Sequence, residues 1–409
     1  MKYLGSLIDV ITPLNFWSFG IIATLIWMPP IGSLGCVIIF IMSVVAWKVW
    51  IIDEQQTGLT PVENWARAII CYYFFSALFC SAIKAEQFSD VFLVSNNLGL
   101  LAGLPLLPVF RKYIDDTWLD KIVIAVAISS IILAIVSQFS MLIEPNNLEL
   151  LSGNSLILAY LAGFNAIFGL VFFLSHKKFS WLSLTGAICS IFVLILTSRR
   201  GPALAVMVAI VPIFTLTIRH HFRKVAILAI CVGMVLGIVV TIRGQAVINS
   251  ARFDHFVENI TAPLETKTSD ASIYIRFIMY RDSWEAFKQA PLLGHGRQNV
   301  AKAAATYSLQ DNPEYQKINF SHLHNAFLTE AVASGILGVI GLIGMYLLPV
   351  LITWRSTEVV RQLGIGYSVY FFSYGLTNVG FYHDVTVFSY IFTIAILNAL
   401  ATSRPSIRV

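Results

Sequence analysis

The sequence predicts an all-α polytopic membrane protein of about twelve transmembrane helices, with one large outer loop that contains an amphipathic helix. Three observations predict it. Of the 409 residues, 57% are hydrophobic and 12% charged, far from the averages of a water-soluble globular chain. The apolar residues gather into runs long enough to cross ~30 Å of hydrocarbon as helices, with short polar breaks between them. One gap, at 243–323, is much longer than an ordinary connection.

In chain order the runs lie at 10–28, 31–47, 68–83, 91–110, 122–139, 156–174, 181–197, 202–218, 225–242, 326–353, 365–381 and 385–401. No small-residue cleavage site follows the first, which is therefore expected to be retained as a helix. The chain divides into 1–242 with nine helices, the loop 243–323, and 324–409 with three more. Cys36, Cys71, Cys80, Cys189 and Cys231 all fall inside runs, where a thiol is a small apolar packing group, and no disulfide framework is indicated.

The basic residues sit in alternate connections: Lys48, then Arg111 and Lys112, then Lys177 and Lys178, then Arg219, Arg223 and Lys224, then Arg355 and Arg361. Those connections are expected to be cytoplasmic, and both termini with them. RHHFRK, 219–224, is thus expected to be a topological anchor between two spans. The net charge of +5 is explained by this distribution and does not argue for a nucleic-acid partner.

The turn TSRRGPA departs from the pattern, because Arg199 and Arg200 stand on the outer side. They read either as side chains reaching toward lipid head groups or as an anion site beside a helix N-terminus. In the outer loop, Ile273, Phe277, Tyr280, Trp284 and Phe287 recur at helical spacing, with Arg281, Asp282, Glu285 and Lys288 on the other face. Pro291 ends this helix, and Gly294 and Gly296 mark a tight turn. A helix lying on the membrane, with Arg276 and Arg281 on lipid phosphates, would account for its apolar face. That reading makes no use of the histidines that follow.

In SHLHNAFLTEAVASGILG, 321–338, His322 and His324 stand at the outer boundary of the tenth run, and Glu330 lies inside it. Glu330 has two readings, a functional group and a helix-pairing group. For a metal reading of His322 and His324 the outer connections offer no Asp-x-Asp, His-x-x-x-His or cysteine cluster, which leaves only a zinc site completed by a remote carboxylate. A proton acceptor fits better: an imidazole with a pKa near ~6.5 is mostly neutral at neutral pH, and nearby arginines favour that form. A base, His324, with Arg199, Arg200, Arg276, Arg281 and Arg297 on the same side suits a reaction whose leaving group is a diphosphate, because arginine donates two hydrogen bonds at once and stays charged.

The residues HLHN, nine further residues, and then Gly335-x-x-Gly338 resemble the signature of bacterial O-antigen ligases. The R-x-x-M-Y…W…P-x-x-G-x-G pattern over 276–296 and the Thr-Ser-Arg-Arg-Gly turn resemble the other hallmarks of the O-antigen ligase and polymerase superfamily. The resemblance implies a multi-pass enzyme of the bacterial inner membrane whose large loop and active site face the periplasm. Its activity would be inverting glycosyl transfer with no metal and no cofactor. The implied partners are undecaprenyl-diphosphate-linked O-antigen, the lipid A-core oligosaccharide and membrane lipids, and the implied product is lipopolysaccharide.

By the same resemblance His324 is the general base, and Arg200 and Arg276 hold the diphosphate. His322 supports the acceptor or His324. Arg199, Asn325, Tyr280, Arg281 and Arg297 are binding candidates, of which Asn325, Tyr280 and Arg297 read equally well as cap or packing residues. His383 and Asp384, in the last outer turn, are within reach of the same cavity. The nearest rival is the O-antigen polymerase, and HLHN tips the reading toward ligase. A transporter is the rival of another class; it would carry charge or broken helices near the midplane and internal repeats. A non-catalytic scaffold would leave His324 replaceable.

Overall fold

The computed structural model describes residues 13–52, 58–115, 117–143, 154–176, 178–251, 271–308 and 323–403. Among these, helices are the only regular elements, and eight are long and apolar enough to cross a membrane. The first helices are α1 (Pro13–Trp27), α2 (Gly32–Ile52) and α3 (Pro61–Ile83). Thr60 caps α3 in a reciprocal box: its hydroxyl accepts from Glu63 N at 3.2 Å, and Glu63 Oε2 accepts from Thr60 N at 2.7 Å.

The run at 91–110 is not the single helix expected. It breaks into α4 (Phe88–Val91), a 3-10 turn (Phe92–Asn97), α5 (Leu98–Ala102) and α6 (Leu106–Tyr113). Pro105 has no N–H to offer, and the side chains of Asn96 and Asn97 are drawn to the 381–382 turn and Arg297, so the run does not continue as one helix. The carbonyl freed at Ala102 accepts from Trp47 Nε1 at 3.1 Å, and Asn96 Nδ2 donates to the Tyr382 carbonyl at 3.0 Å.

Next come α7 (Trp118–Ile143), α8 (Ser155–Ser175), α9 (Ser180–Leu196) and α10 (Arg200–Ala251). The runs at 202–218 and 225–242 are here one uninterrupted helix, so RHHFRK is helical and not a connection. Its residues are good enough helix formers that polarity alone does not end the helix. Lys224 Nζ reaches back to the carbonyls of Phe173 and Leu174 at 2.7 and 3.3 Å, where the C-terminal end of α8 presents unpaired acceptors.

The long loop holds α11 (Ala271–Gln289), a 3-10 turn (Arg297–Asn299) and α12 (Val300–Ser308); the bundle closes with α13 (Ala326–Thr353), α14 (Glu358–Gly375), a 3-10 turn (Gly380–Tyr382) and α15 (Asp384–Thr402). Of the apolar stripe read from the sequence, Tyr280 packs on the buried cluster, the side chains of Ile273 and Phe277 lie outside the described residues, and Trp284 departs from it. Met279, Asp282, Ser283 and Ala286 turn inward, and Trp284 is 54% exposed. Small side chains let α11 lie close to its neighbours, so Met279 and Ala286 pack with Val300, Ala304, Leu323, Val332 and Ala333.

The centre of the bundle is α8, buried along almost its whole length against α7, α9, α10 and α14. Tyrosines from α8, α14 and α15 fill it. Several of their hydroxyls are paired there: Tyr160 Oη lies 3.2 Å from both Tyr367 Oη and Ser389 Oγ, and Tyr370 Oη donates to the Tyr160 carbonyl at 2.7 Å.

One break in α13 decides how the loop sits. Gly335 is held at φ 62°, ψ −153°, a conformation a side chain would oppose, and a Cβ there would stand 2.4 Å from Leu292 backbone atoms. The break frees carbonyls on α13. His295 N donates to Val332 O at 2.7 Å, Gly296 N to Ala333 O at 2.9 Å, and Ile336 N to Pro291 O at 2.8 Å. The two glycine motifs of the sequence are therefore the two halves of one backbone joint.

Candidate active site

His324 stands at the entrance to α13. Leu323 is buried beneath it, Asn325 caps the helix by accepting from Leu328 N at 3.0 Å, and His324 between them takes φ 49°. Among non-glycine residues histidine is one of the types enriched in that left-handed conformation. Asn325 Nδ2 also donates to the Leu376 carbonyl at 3.1 Å, tying the start of α13 to the end of α14. Asn325 is thus a cap and a tie between helices.

Two residues of α11 complete this wall. Tyr280 Oη lies 3.4 Å from the carbonyls of both His324 and Leu376. Arg276 is one turn earlier on the same face, and its charge reaches the imidazole. Burial, then Arg276, then His383 hold His324 below the usual imidazole range. His383 is itself lowered by burial, with Asp384 opposing. The imidazole of His324 is accordingly neutral at neutral pH and able to accept a proton.

The arginine turn arrives from a third side. Ser198 at φ 51° reverses the chain and Arg200 opens α10 as an exposed side chain. Gly201 rests on the residues just past Leu376: a Cβ on it would stand 2.4 Å from Thr377 Oγ1. Arg199 bonds through Nε and Nη2 to Ser155 Oγ at 3.0 and 2.6 Å, at the start of α8. So Arg199 holds the turn to the bundle.

The remaining candidates are placed differently. Arg281 Nε bonds its neighbour Asp282 at 3.0 Å. Arg297 is buried, with its guanidinium 3.0 Å from Glu330 Oε1 and 4.0 Å above the Tyr382 ring. Glu330, which had two readings, is thereby a pairing group. His322 lies outside the described residues. No three histidine, cysteine or carboxylate side chains come together as a metal-binding group among the described residues.

Sequence reasoning missed the residues that surround that pair. Tyr73 Oη donates to Glu330 Oε1 at 2.8 Å. Asn97, its amide turned to suit its neighbours, accepts from Arg297 Nη1 and Nη2 at 3.0 and 3.2 Å and donates to the Phe381 carbonyl at 2.6 Å. The readable signal was the Asn-Asn pair inside an apolar run, since a polar residue there needs a partner. Nothing local marks Tyr73.

Comparison with known proteins bears on the same segment. Over 286 residues the chain is 25% identical to an uncharacterized protein of Haemophilus influenzae, covering 68% of this chain and 70% of that one. The family described as O-Antigen ligase matches residues 185–343, a span that holds Arg199, Arg200, Arg276, Tyr280, Arg297, His324, Asn325 and the Gly335 joint. Over that segment the chain is similar to the O-antigen ligase family.

Proposed function

We propose that the chain is an O-antigen ligase, a metal-independent inverting glycosyltransferase working at the periplasmic face of the bacterial inner membrane, with both termini in the cytoplasm. One observation carries this reading. A half-buried imidazole at the mouth of a helix has Arg276 close enough to lower it and the Arg200 turn docked on the same wall, with His324, Arg276 and Arg200 all inside the matched segment.

In this reading a hydroxyl of the lipid A-core acceptor attacks the anomeric carbon of the first sugar of the undecaprenyl-diphosphate-linked chain, from the face opposite the diphosphate. His324 takes the hydroxyl proton as the new bond forms, a contribution of about 10² to 10⁴ in rate. As the old glycosidic bond breaks, its electron pair leaves with the diphosphate, and Arg200 and Arg276 stabilise that growing charge. Lipid tails remain in the bilayer while head groups meet at the helix mouths.

The test compares lipopolysaccharide and lipid extracts from cells with the gene intact, deleted, and carrying His324→Ala. Core-only lipopolysaccharide with long chains retained on the polyprenyl carrier is the expected result in both altered strains. Core capped by a single repeat unit would instead make the protein the polymerase. Normal chains from His324→Ala would remove the proposed base.

A further inference from the structure

We propose that the buried Glu330–Arg297 ion pair is a positioning device for His324, holding the helix that carries Arg276 and the turn that carries His383 in register with the imidazole. The pair lies where five segments meet. Glu330 sits in α13, six residues after His324; Arg297 comes from the outer segment, directly after the backbone joint of His295 and Gly296 to α13. Tyr73 of α3 and Asn97 of the broken stretch bond to it, and Tyr382, next to His383, lies flat against the guanidinium. Arg297 N is also held by Ser81 Oγ at 3.2 Å.

Stability alone does not account for such a pair. With side chains 3% and 2% exposed, both charges are stripped of water, and apolar residues of similar volume are often as stable or more so by roughly 1–4 kcal/mol. The pair is also incompletely satisfied: Arg297 Nε and Glu330 Oε2 make no hydrogen bond among the described residues. What an ion pair supplies, and hydrocarbon does not, is direction. A guanidinium fork against a carboxylate fixes both distance and orientation. Here that fixed geometry links the three elements that set the surroundings of His324: α13 itself, α11 through the 291–296 turn, and the 380–383 turn.

The experiment uses the full chain in detergent with the double change Arg297→Met and Glu330→Met. Thermal unfolding reads the fold. Diethyl pyrocarbonate labelling of His324 across pH, followed by peptide mass spectrometry, reads the imidazole itself, whose facing charges are Arg276 and His383. The expected outcome is a melting temperature at or above that of the unaltered protein, with His324 labelled several-fold faster and its midpoint moved back toward the usual ~6.5. Transferase assays should then show kcat down about tenfold or more, with KM little changed. Unaltered labelling rate and midpoint in a folded double variant would overturn the proposal. If the double variant does not fold, Glu330→Gln decides by the same labelling, with the same overturning result. The labelling arm does not depend on the ligase reading. Loss of that reading with altered labelling would leave the positioning role standing.

Discussion

Two arginine–glutamate pairs of the same 3.0 Å length lie along α3, one at its first turn and one against its second half, and they are built differently. At its first turn Glu63 is fully buried against Arg111, but Arg111 keeps 26% of its side chain exposed. Glu63 is otherwise well served, by Thr60 N and by Asn398 Nδ2 at 2.9 Å, and Arg111 also bonds the Gly58 carbonyl at 2.7 Å. The Arg297–Glu330 pair meets Tyr73 and Ser81, about 15 Å and about 27 Å farther along the same helix, and has almost no contact with water. The first pair closes the ends of three neighbouring helices. The second joins segments far apart in sequence around a candidate base. Equal lengths therefore do not mean equal roles; solvent access and the elements joined distinguish them.

The largest expected effect would test that contrast directly. Glu330→Ala leaves Arg297 buried and unmatched and should cost about 3–5 kcal/mol in unfolding measurements on the solubilised protein. Glu63→Ala should cost less, on the order of 1–3 kcal/mol, because Arg111 can turn toward water. Equal losses would break the comparison. At the site itself His324→Ala should lower transfer about 10² to 10⁴-fold with the melting temperature held, whereas Glu63→Gln should leave turnover intact. Arg276→Lys keeps the charge but not the fork, and should reduce kcat by roughly tenfold, read as turnover at saturating donor.

The pH dependence sharpens the same point. Because burial, Arg276 and His383 lower His324, its neutral form persists below the usual midpoint, so the acid limb of kcat/KM should fall beneath pH ~6.5. An acid limb above that value would mean the base lies elsewhere. Smallest of all, Asn325→Ala removes a cap and should cost about 1 kcal/mol of stability, seen as a modest drop in melting temperature.

The helices of the bundle were legible because each is an apolar run of membrane length, and most of the observed helices fall on the expected runs. Where reading failed, the competing influence was local. Asn96, Asn97 and Pro105 broke a run that hydropathy alone made continuous, and RHHFRK, though charged, lacks any residue that stops a helix. On α11 Tyr280 packs on the buried cluster as expected, while close packing placed Asp282, Ser283 and Ala286 inward and left Trp284 exposed, a choice set by the neighbouring helices. His324, Arg200 and Arg276 could be picked out as candidates from their motifs, but not the turn that faces each of them.

What the sequence by itself determined is the class of the protein, the order of its helices and the kinds of chemistry gathered near His324, because these follow from composition and from short-range pattern. What only the tertiary structure decided is which of the candidate charges are buried in pairs and which face His324. Arg297 and Arg276 look alike in the sequence, yet one is buried on Glu330 and the other carries a charge that holds His324 below the usual imidazole range. That difference arises from contacts between residues dozens to hundreds of positions apart, such as Tyr73 with Glu330, and no periodicity within a segment encodes it.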